Sequence, residues 1–303
     1  MEIPRYFIEK TSRQFGAQGG AWARELPSIA EHCIEGWRLT DCAPVKELSI
    51  NFVCMCTSSV HGDAVLKIQG PHPERYTEIE ALEIFGGRNC CRILERDMER
   101  AAMLLQRVTP GTSLRALPDR DRQLSIGAEM IRRLPVPAAG ARRIPTYSMW
   151  LSNADAMLAH TKSPRALIDL MEKAHEQYQA VAASGGPHLL LHGDLHHDNI
   201  LQAGGAWLAI DPQGVIGPPV LEAGRFIQNH DMMDYRLMDW PEVERTVRTL
   251  AGLIRQPSIL VLRALFVLHA LSIVWDWEMN VQAEKLRDGV EQCRRILEAI
   301  AEG

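Results

Sequence analysis

The segment from His188 to Ile200, "HLLLHGDLHHDNI", constrains this chain more than any other part of its sequence. Its apolar start predicts a short strand, and the loop that follows is rich in histidine and aspartate. The next residues, "NILQ" and "AWLAID", flank a glycine-rich turn and predict a hairpin. Because the hairpin reverses the chain, it returns Asp211 towards Asn199 and Asp194. We therefore predict that three oxygen-bearing side chains converge at one end of a small sheet.

The spacing of these three side chains matches a known arrangement for phosphotransfer. In protein kinases, a catalytic aspartate precedes a metal-binding asparagine, and a second metal-binding aspartate follows a short hairpin. Here Asn199 follows Asp194 by five positions, and Asp211 follows Asn199 by twelve. Carboxylate and amide oxygens also suit Mg2+, which takes oxygen ligands together with substrate phosphates. The pattern favours a kinase-like site that uses Mg2+.

The preceding part of the chain supplies the other residues that such a site needs. "LSINFVCMC" and "AVLKI" predict two strands around a turn at residues 57–63, and Lys67 lies in the second strand. "PERYTEIEALEIFGG" then predicts a helix that carries Glu78 and Glu80. Since lysine is rarely buried without a partner, a lysine in an apolar strand indicates a function.

Strand signals give way to helical periodicity at Thr109-Pro110-Gly111. Before this break, "CCRILER" and "RAAMLLQRV" predict a second pair of strands. After it, apolar spacing predicts helices over residues 119–134 and 165–182. We predict an α+β fold with two lobes: a nucleotide-binding lobe of strands and a helix, and a mainly helical lobe, at residues 1–108 and 109–303.

Four stretches together resemble the aminoglycoside phosphotransferases, and in particular the branch of streptomycin 6-phosphotransferases and hydroxyurea-resistance kinases. They are "LLLHGDLHHDNIL", "WLAIDPQGVIG", "LLQRVTPGTSL" and "FGG". The resemblance implies a protein-kinase-like fold with a small sheet-containing lobe. It also implies transfer of the γ-phosphate of ATP to a hydroxyl group of a small molecule, with Mg2+ as the metal.

The resemblance assigns roles in the second lobe. Asp194 is the catalytic base, or the group that orients the accepting hydroxyl. Asn199 and Asp211 hold Mg2+ between the phosphates. Within the family "DPKG" and "GDPAYE" are usual, whereas Gln213, Pro218 and Leu221 alter these motifs here. We expect these changes to lie beside the acceptor site. They leave phosphotransfer intact, and they leave the identity of the acceptor undetermined.

The resemblance also assigns roles in the first lobe. Lys67 contacts the α- and β-phosphates, and an acidic residue of the next helix orients it, with Glu78 favoured over Glu80. Backbone groups near Gln106 and Val108 contact the adenine. The side chains of Ser58 and Ser59, in the hairpin turn, contact the phosphates.

Several alternative interpretations stay open. The loop could be a polar loop with capping side chains, or a zinc site of a hydrolase built on His192, His196 and His197. The protein could also be a pseudokinase that binds nucleotide and serves as an interaction module. Such proteins usually lose at least one residue of the set Lys67, Asp194, Asn199 and Asp211, all of which are present here. A kinase of an ordinary sugar or amino alcohol is a further possibility.

Composition limits the partners. The net charge is −5 and no basic block occurs, which argues against nucleic acid. No signal segment and no apolar run long enough to span a membrane is evident. The seven cysteines, which include the adjacent Cys90 and Cys91, lack the spacing of a zinc knuckle and fit free thiols in the cytoplasm. The expected partner is a small-molecule acceptor. Asp276 and Glu278 could line its pocket and favour a cationic amino sugar.

Overall fold

The computed structural model describes residues 3–160, 163–184, 186–228, 240–278 and 283–302. The chain forms two compact units, Met1–Gly111 and Thr112–Gly303. The first unit ends shortly after Val108, where the sequence predicts the lobe boundary. Each unit contains its own set of buried apolar side chains.

The described part of the first unit combines an antiparallel sheet with two helices. Its elements are α1 (Arg5–Gly36), β1 (Leu39–Pro44), β2 (Phe52–Ser58), β3 (Gly62–Ile68), α2 (Thr77–Phe85), β4 (Ile93–Asp97) and β5 (Ala102–Gln106). The strands pair in the order β1-β2-β3-β5-β4. Alternate residues of β2 are buried, as expected for a strand with one face on a core. The two predicted pairs of strands are thus confirmed as β2–β3 and β4–β5.

Helix α1 covers the core of this unit. Its buried residues Leu26, Ala30 and Cys33 belong to the same apolar cluster as Phe52 and Leu66 of the sheet. The sequence predicts this helix only over residues 21–37, whereas the structure extends it to Arg5 with a non-helical backbone at Gly16. Strand β1 was not predicted, because its exposed polar residues lack an apolar alternation.

The second unit is mainly helical. Its elements, preceded by β6 (Pro110–Ser113) at the boundary, are α3 (Arg120–Arg133), α4 (Tyr147–His160), α5 (Arg165–Ala182), β7 (Leu189–Leu191), β8 (Ile200–Ala203), β9 (Ala206–Ala209), β10 (Val215–Gly217), α6 (Leu221–Gln228), α7 (Trp240–Ile254), α8 (Ser258–Glu278) and α9 (Ala283–Glu302). Helices α3 and α5 confirm the two helices predicted by apolar spacing. The predicted hairpin is confirmed as β8–β9, while β7 pairs with β10.

Helix α8 lies in the core of the second unit. The sequence predicts no apolar run of membrane-spanning length, but α8 meets the length and hydropathy of such a span. A helix that is apolar on all sides is either a core helix or a membrane span. Here α5, α6 and α9 pack against α8, and its residues from Ala264 to Val274 are buried. Protein packing therefore accounts for its composition.

Candidate active site

Lys67 forms a buried ion pair with Glu78 within the first unit. Strand β3 carries the lysine and α2 carries the glutamate. The Lys67 Nζ lies 2.8 Å from Oε1 and 2.7 Å from Oε2 of Glu78. The side chains are only 6% and 8% exposed. Glu78, which the resemblance favours over Glu80, is therefore the residue that orients the lysine.

Gln69 extends this pair by one residue. Its Nε2 donates to Oε2 of Glu78 at 2.5 Å, and its Oε1 lies 3.3 Å from Nε2 of His72. Burial, aided by Lys67 and Arg75, lowers the pKa of His72 to about 4. The imidazole is therefore neutral at pH 7, and its N–H can donate to Gln69. The orientation of the Glu78 carboxylate is thus fixed from two sides.

The two serines of the hairpin turn have different environments. The buried Ser58 hydroxyl donates to the Trp37 carbonyl at 3.2 Å and accepts from the Val60 N–H at 3.2 Å. Ser58 therefore braces its own turn, which is a structural role that leaves the predicted phosphate contact without support. Ser59 is exposed at the tip of the turn.

The predicted adenine contacts lie at the end of β5. The backbone N–H of Gln106 donates to the Arg92 carbonyl at 2.8 Å. This N–H is therefore already engaged in a hydrogen bond of the first unit. Val108, two residues beyond the end of the strand, is half-buried. Of the two predicted residues, Val108 is therefore the better candidate for a backbone donor.

In the second unit, β7 leads into the loop that carries Asp194. Gly193 precedes it with φ 80°, and a Cβ there would lie 3.0 Å from Val215 and 3.1 Å from Trp150. This position therefore favours glycine. The Asn199 Nδ2 donates to the Asp194 carbonyl at 3.0 Å and lies 3.3 Å from Asp194 Oδ2. With that nitrogen engaged, Asn199 Oδ1 is the atom that could bind a metal.

Asp211 returns to this loop through the β8–β9 hairpin. The N–H of Ile210 donates to the Asn199 carbonyl at 2.9 Å, and Asp211 is the next residue. Asp211 is exposed, and its backbone φ of 60° lies in the left-handed region that aspartate tolerates. Two oxygen-bearing residues fit Mg2+, which usually takes one or two carboxylates together with water and substrate phosphates.

Two buried side chains hold the loop in place. Burial lowers the pKa of His192 to about 4, so its neutral ring accepts the Asp194 N–H at Nδ1 (3.2 Å) and donates from Nε2 to the Ile210 carbonyl (2.8 Å). The Glu222 Oε1 accepts from the N–H groups of His192 and Gly193. Burial raises the pKa of Glu222 to about 7.

Arg225 of α6 contacts the Asp194 carboxylate directly. Its Nε and Nη2 lie 2.8 and 2.6 Å from Oδ1 of Asp194. Burial raises the pKa of the Asp194 carboxyl, but Arg225 and His196 outweigh burial and hold that pKa well below its usual range. Asp194 is therefore ionised at neutral pH.

Sequence reasoning missed both Glu222 and Arg225. The available signal was their place in α6, where they are the two charged residues of a largely buried helix. Leu221 at the start of the same helix is fully buried. This altered motif position therefore contributes to packing, and its place beside the acceptor site stays a prediction.

The histidines of the loop are not arranged as a zinc site. Within the described ranges, no group of three or more histidine, cysteine, aspartate or glutamate residues could hold a metal ion. His192 uses both ring nitrogens inside the loop. His197 stacks on Phe226, with ring centroids 4.2 Å apart. The zinc hydrolase hypothesis therefore has no support in this part of the chain.

Comparison with known proteins identifies the chemistry. Residues 43–278 match the family described as aminoglycoside/hydroxyurea antibiotic resistance kinase. The chain belongs to this family. It is 33% identical over 231 residues to a streptomycin 6-kinase of Streptomyces glaucescens, with 72% of each chain covered. It is 32% identical to a hydroxyurea phosphotransferase of Kitasatospora aureofaciens, with 73% of this chain and 66% of the relative covered. The protein is therefore a small-molecule kinase of the antibiotic-resistance type.

Solved structures establish the fold of this kinase. A choline/ethanolamine kinase family protein from Mesorhizobium loti superposes with a TM-score of 0.66 at 16% identity, covering 90% of this chain and 94% of the other. An aminoglycoside phosphotransferase APH(4)-Ia, in a complex with ADP and hygromycin B, has a TM-score of 0.60 at 13% identity, covering 89% and 98%. The predicted α+β class and protein-kinase-like fold are confirmed.

Proposed function

We propose that this kinase transfers the γ-phosphate of ATP to a hydroxyl group of a cationic, aminoglycoside-type compound. The geometry of Asp194 carries the proposal: its ionised carboxylate is held by Arg225 and lies beside Asn199. Family membership supplies the reaction class. The buried pair of Lys67 and Glu78 supports an active kinase over a pseudokinase, because such modules usually lose part of this set.

In this proposal Asp194 orients the acceptor hydroxyl and receives its proton. The hydroxyl oxygen forms a bond to the γ-phosphorus, while the bond from that phosphorus to the β-phosphate oxygen breaks and ADP leaves. Phosphoryl transfer depends mainly on positioning and charge stabilisation, so one well-placed carboxylate suffices. The lowered pKa of Asp194 favours orientation of the hydroxyl as its main contribution.

The other predicted residues complete the proposal. Asn199 and Asp211 hold Mg2+, which when bound neutralises charge on the phosphates. Lys67, oriented by Glu78, contacts the α- and β-phosphates. Val108 supplies a backbone contact to adenine, and Ser59 remains a proposed phosphate contact at the hairpin turn.

Charge in the second unit supports a cationic acceptor. The Arg225 Nη1 donates to the Ser272 hydroxyl of α8 at 3.2 Å, one turn before Asp276. Burial raises the pKa of Asp276, and Arg225 and Lys285 oppose that shift. Trp275 of α8 is half-buried, whereas the Trp150 ring that it contacts is buried. A carboxylate and the accessible part of an aromatic ring both attract cations.

A phosphate-transfer screen with ATP and Mg2+ tests the proposal. Four acceptors are offered in parallel: streptomycin, hydroxyurea, a neutral sugar and an amino alcohol. We expect phosphate transfer to streptomycin, the cationic antibiotic. Asp194→Asn should lose nearly all turnover and keep its nucleotide affinity. Asp155→Asn, at an exposed carboxylate of α4, is the matched control and should retain turnover.

The remaining outcomes separate the alternatives. Transfer only to the neutral sugar or the amino alcohol would identify a metabolic kinase. Nucleotide binding with no transfer to any acceptor would favour the pseudokinase. Full turnover in Asp194→Asn would remove this residue from the mechanism.

We further propose that the protein acts in the cytoplasm without nucleic-acid or membrane partners. All seven cysteines are free thiols; six of them are buried and Cys42 is half-buried. Free thiols fit a reducing compartment. Cell fractionation that recovers the protein in the membrane pellet would contradict this proposal.

A further inference from the structure

Helix α6 holds the loop that carries Asp194 at two points. Glu222 accepts hydrogen bonds from the backbone of His192 and Gly193, and Arg225 binds the side chain of Asp194. The two residues are three positions apart, so they share one face of the helix. One helix face therefore fixes both the backbone of the loop and its reactive carboxylate.

The two oxygens of the Asp194 carboxylate have different surroundings. Both contacts from Arg225 go to Oδ1, at 2.8 and 2.6 Å. Oδ2 faces Asn199 Nδ2 at 3.3 Å and His196 Nε2 at 3.6 Å. These distances are longer, so Oδ2 retains capacity to accept a further hydrogen bond.

Arg225 is itself held in place. Its Nη1 donates to Gln228 and Ser272, each at 3.2 Å, and its side chain is 15% exposed. The planar guanidinium thus has fixed contacts on more than one side, and it approaches the carboxylate with two nitrogens. A side chain constrained in this way can set the rotation of its partner.

We propose that Arg225 is a positioning residue for phosphotransfer, which fixes Oδ1 of Asp194 so that Oδ2 meets the acceptor hydroxyl. This inference rests on the role proposed above for Asp194. Without Arg225 the carboxylate can rotate, and a displacement of about 1 Å at a reacting group can cost about 100-fold in rate. The effect belongs to turnover, since Arg225 itself is assigned no contact with the nucleotide.

Steady-state kinetics of Arg225→Met and Arg225→Lys test this role, alone and combined with Asp194→Asn. We expect Arg225→Met to lower kcat by about 10- to 100-fold, with KM for ATP within about twofold of wild type. Arg225→Lys should be intermediate, because lysine keeps the charge but lacks the planar fork. In the Asp194→Asn background, followed with radiolabelled ATP, Arg225→Met should cause no further loss. Arg263→Met, at a partly buried arginine that bonds Gln177, is the control and should keep kcat.

The outcomes separate this inference from the proposed function. Wild-type kcat in Arg225→Met would overturn it. A further loss of the same size in the Asp194→Asn background would show that Arg225 acts independently of Asp194, which also overturns it. Partial recovery of Arg225→Met by added guanidinium would support it, since a general loss of folding would not respond to that ion. Full turnover of Asp194→Asn would instead refute the proposed function.

Discussion

The Lys67 ammonium lies 2.7 Å from the Glu78 carboxylate at a place where both side chains are more than nine-tenths buried. The pair joins a strand to a helix within the first unit, and Gln69 adds a second donor to the same carboxylate. Two charges in such a place depend on each other, because removing one leaves the other buried and unpaired. Removal of either partner should therefore lower stability, and with the role proposed for Lys67 it should also weaken nucleotide binding.

Glu78→Gln should affect both properties. The lysine loses its charged partner, so we expect KM for ATP to rise at least about 10-fold and the free energy of unfolding to fall by about 3 kcal/mol. Urea unfolding and ATP kinetics measure the two effects. Glu83→Gln is the matched control on the same helix, since Glu83 and its ion-pair partner Arg96 have side chains that are 35% and 47% exposed. Such a pair contributes less than about 1 kcal/mol. Unchanged ATP kinetics in Glu78→Gln would limit the pair to a structural role.

The two serines of the β2–β3 turn should respond in opposite ways. Ser58→Ala removes the hydroxyl that bonds Trp37 and Val60, so the free energy of unfolding should fall by about 1–2 kcal/mol with KM for ATP unchanged. Ser59→Ala should leave stability unchanged and raise KM for ATP if its hydroxyl meets a phosphate. Thermal unfolding and ATP kinetics of both variants provide the comparison. A raised KM only in Ser58→Ala would restore the original prediction for that residue.

Local patterns predicted the parts of the site that depend on short-range order. The β8–β9 hairpin follows from apolar strands around a Gly204-Gly205 turn. It brings Ile210 back to Asn199, where the Ile210 N–H donates to the Asn199 carbonyl, and Asp211 is the next residue. The pairing of Lys67 with Glu78 joins residues only eleven positions apart on successive elements. In each case the chain between the partners is short and its geometry is regular.

Contacts between distant segments were outside the reach of such patterns. Arg225 meets Asp194 across thirty-one positions, and that contact depends on how α6 packs in the second unit. The burial of Ser58 likewise depends on Trp37, twenty-one positions earlier. Strand β1 was missed because its exposed polar residues lack an apolar alternation, and its pairing with β2 is irregular between Thr40 and Ala43. Tertiary packing decides these features, and periodicity carries no information about it.

The packing of α6 against α8 can be tested at a glycine. A Cβ on Gly224 would lie 2.5 Å from the carbonyl oxygen of Ala264, so Gly224→Ala must push the helices apart. We expect a loss of about 1–3 kcal/mol in the free energy of unfolding. A fall in kcat should accompany it, because α6 carries Glu222 and Arg225. Gly252→Ala on α7 is the control, since within the described residues nothing outside its own stretch of helix lies within 4 Å of the Cβ position, and it should gain about 0.5–1 kcal/mol. Equal stability of both variants would argue against this close approach.

Glu222 should make stability depend on pH in a direction that a glutamine variant reveals. Burial raises the pKa of its carboxyl from 4.5 to about 7, and among the described residues its Oε2 has no hydrogen-bond partner. Between these two pH values the unfolded chain releases the proton while the folded protein retains it. Rising pH therefore favours unfolding, by up to about 3 kcal/mol above pH 7.

Glu222→Gln removes this titration and keeps an oxygen that can accept from the His192 and Gly193 N–H groups. The difference in free energy of unfolding between the variant and wild type should therefore shift in favour of the variant from pH 5 to pH 8. Urea unfolding of both proteins at intervals of one pH unit measures it. Since the other titrating groups, including the buried His192, are common to both proteins, their contributions cancel in the difference. A difference that stays constant across this range would show that the Glu222 carboxyl is not titrating between pH 5 and pH 8 in the folded protein.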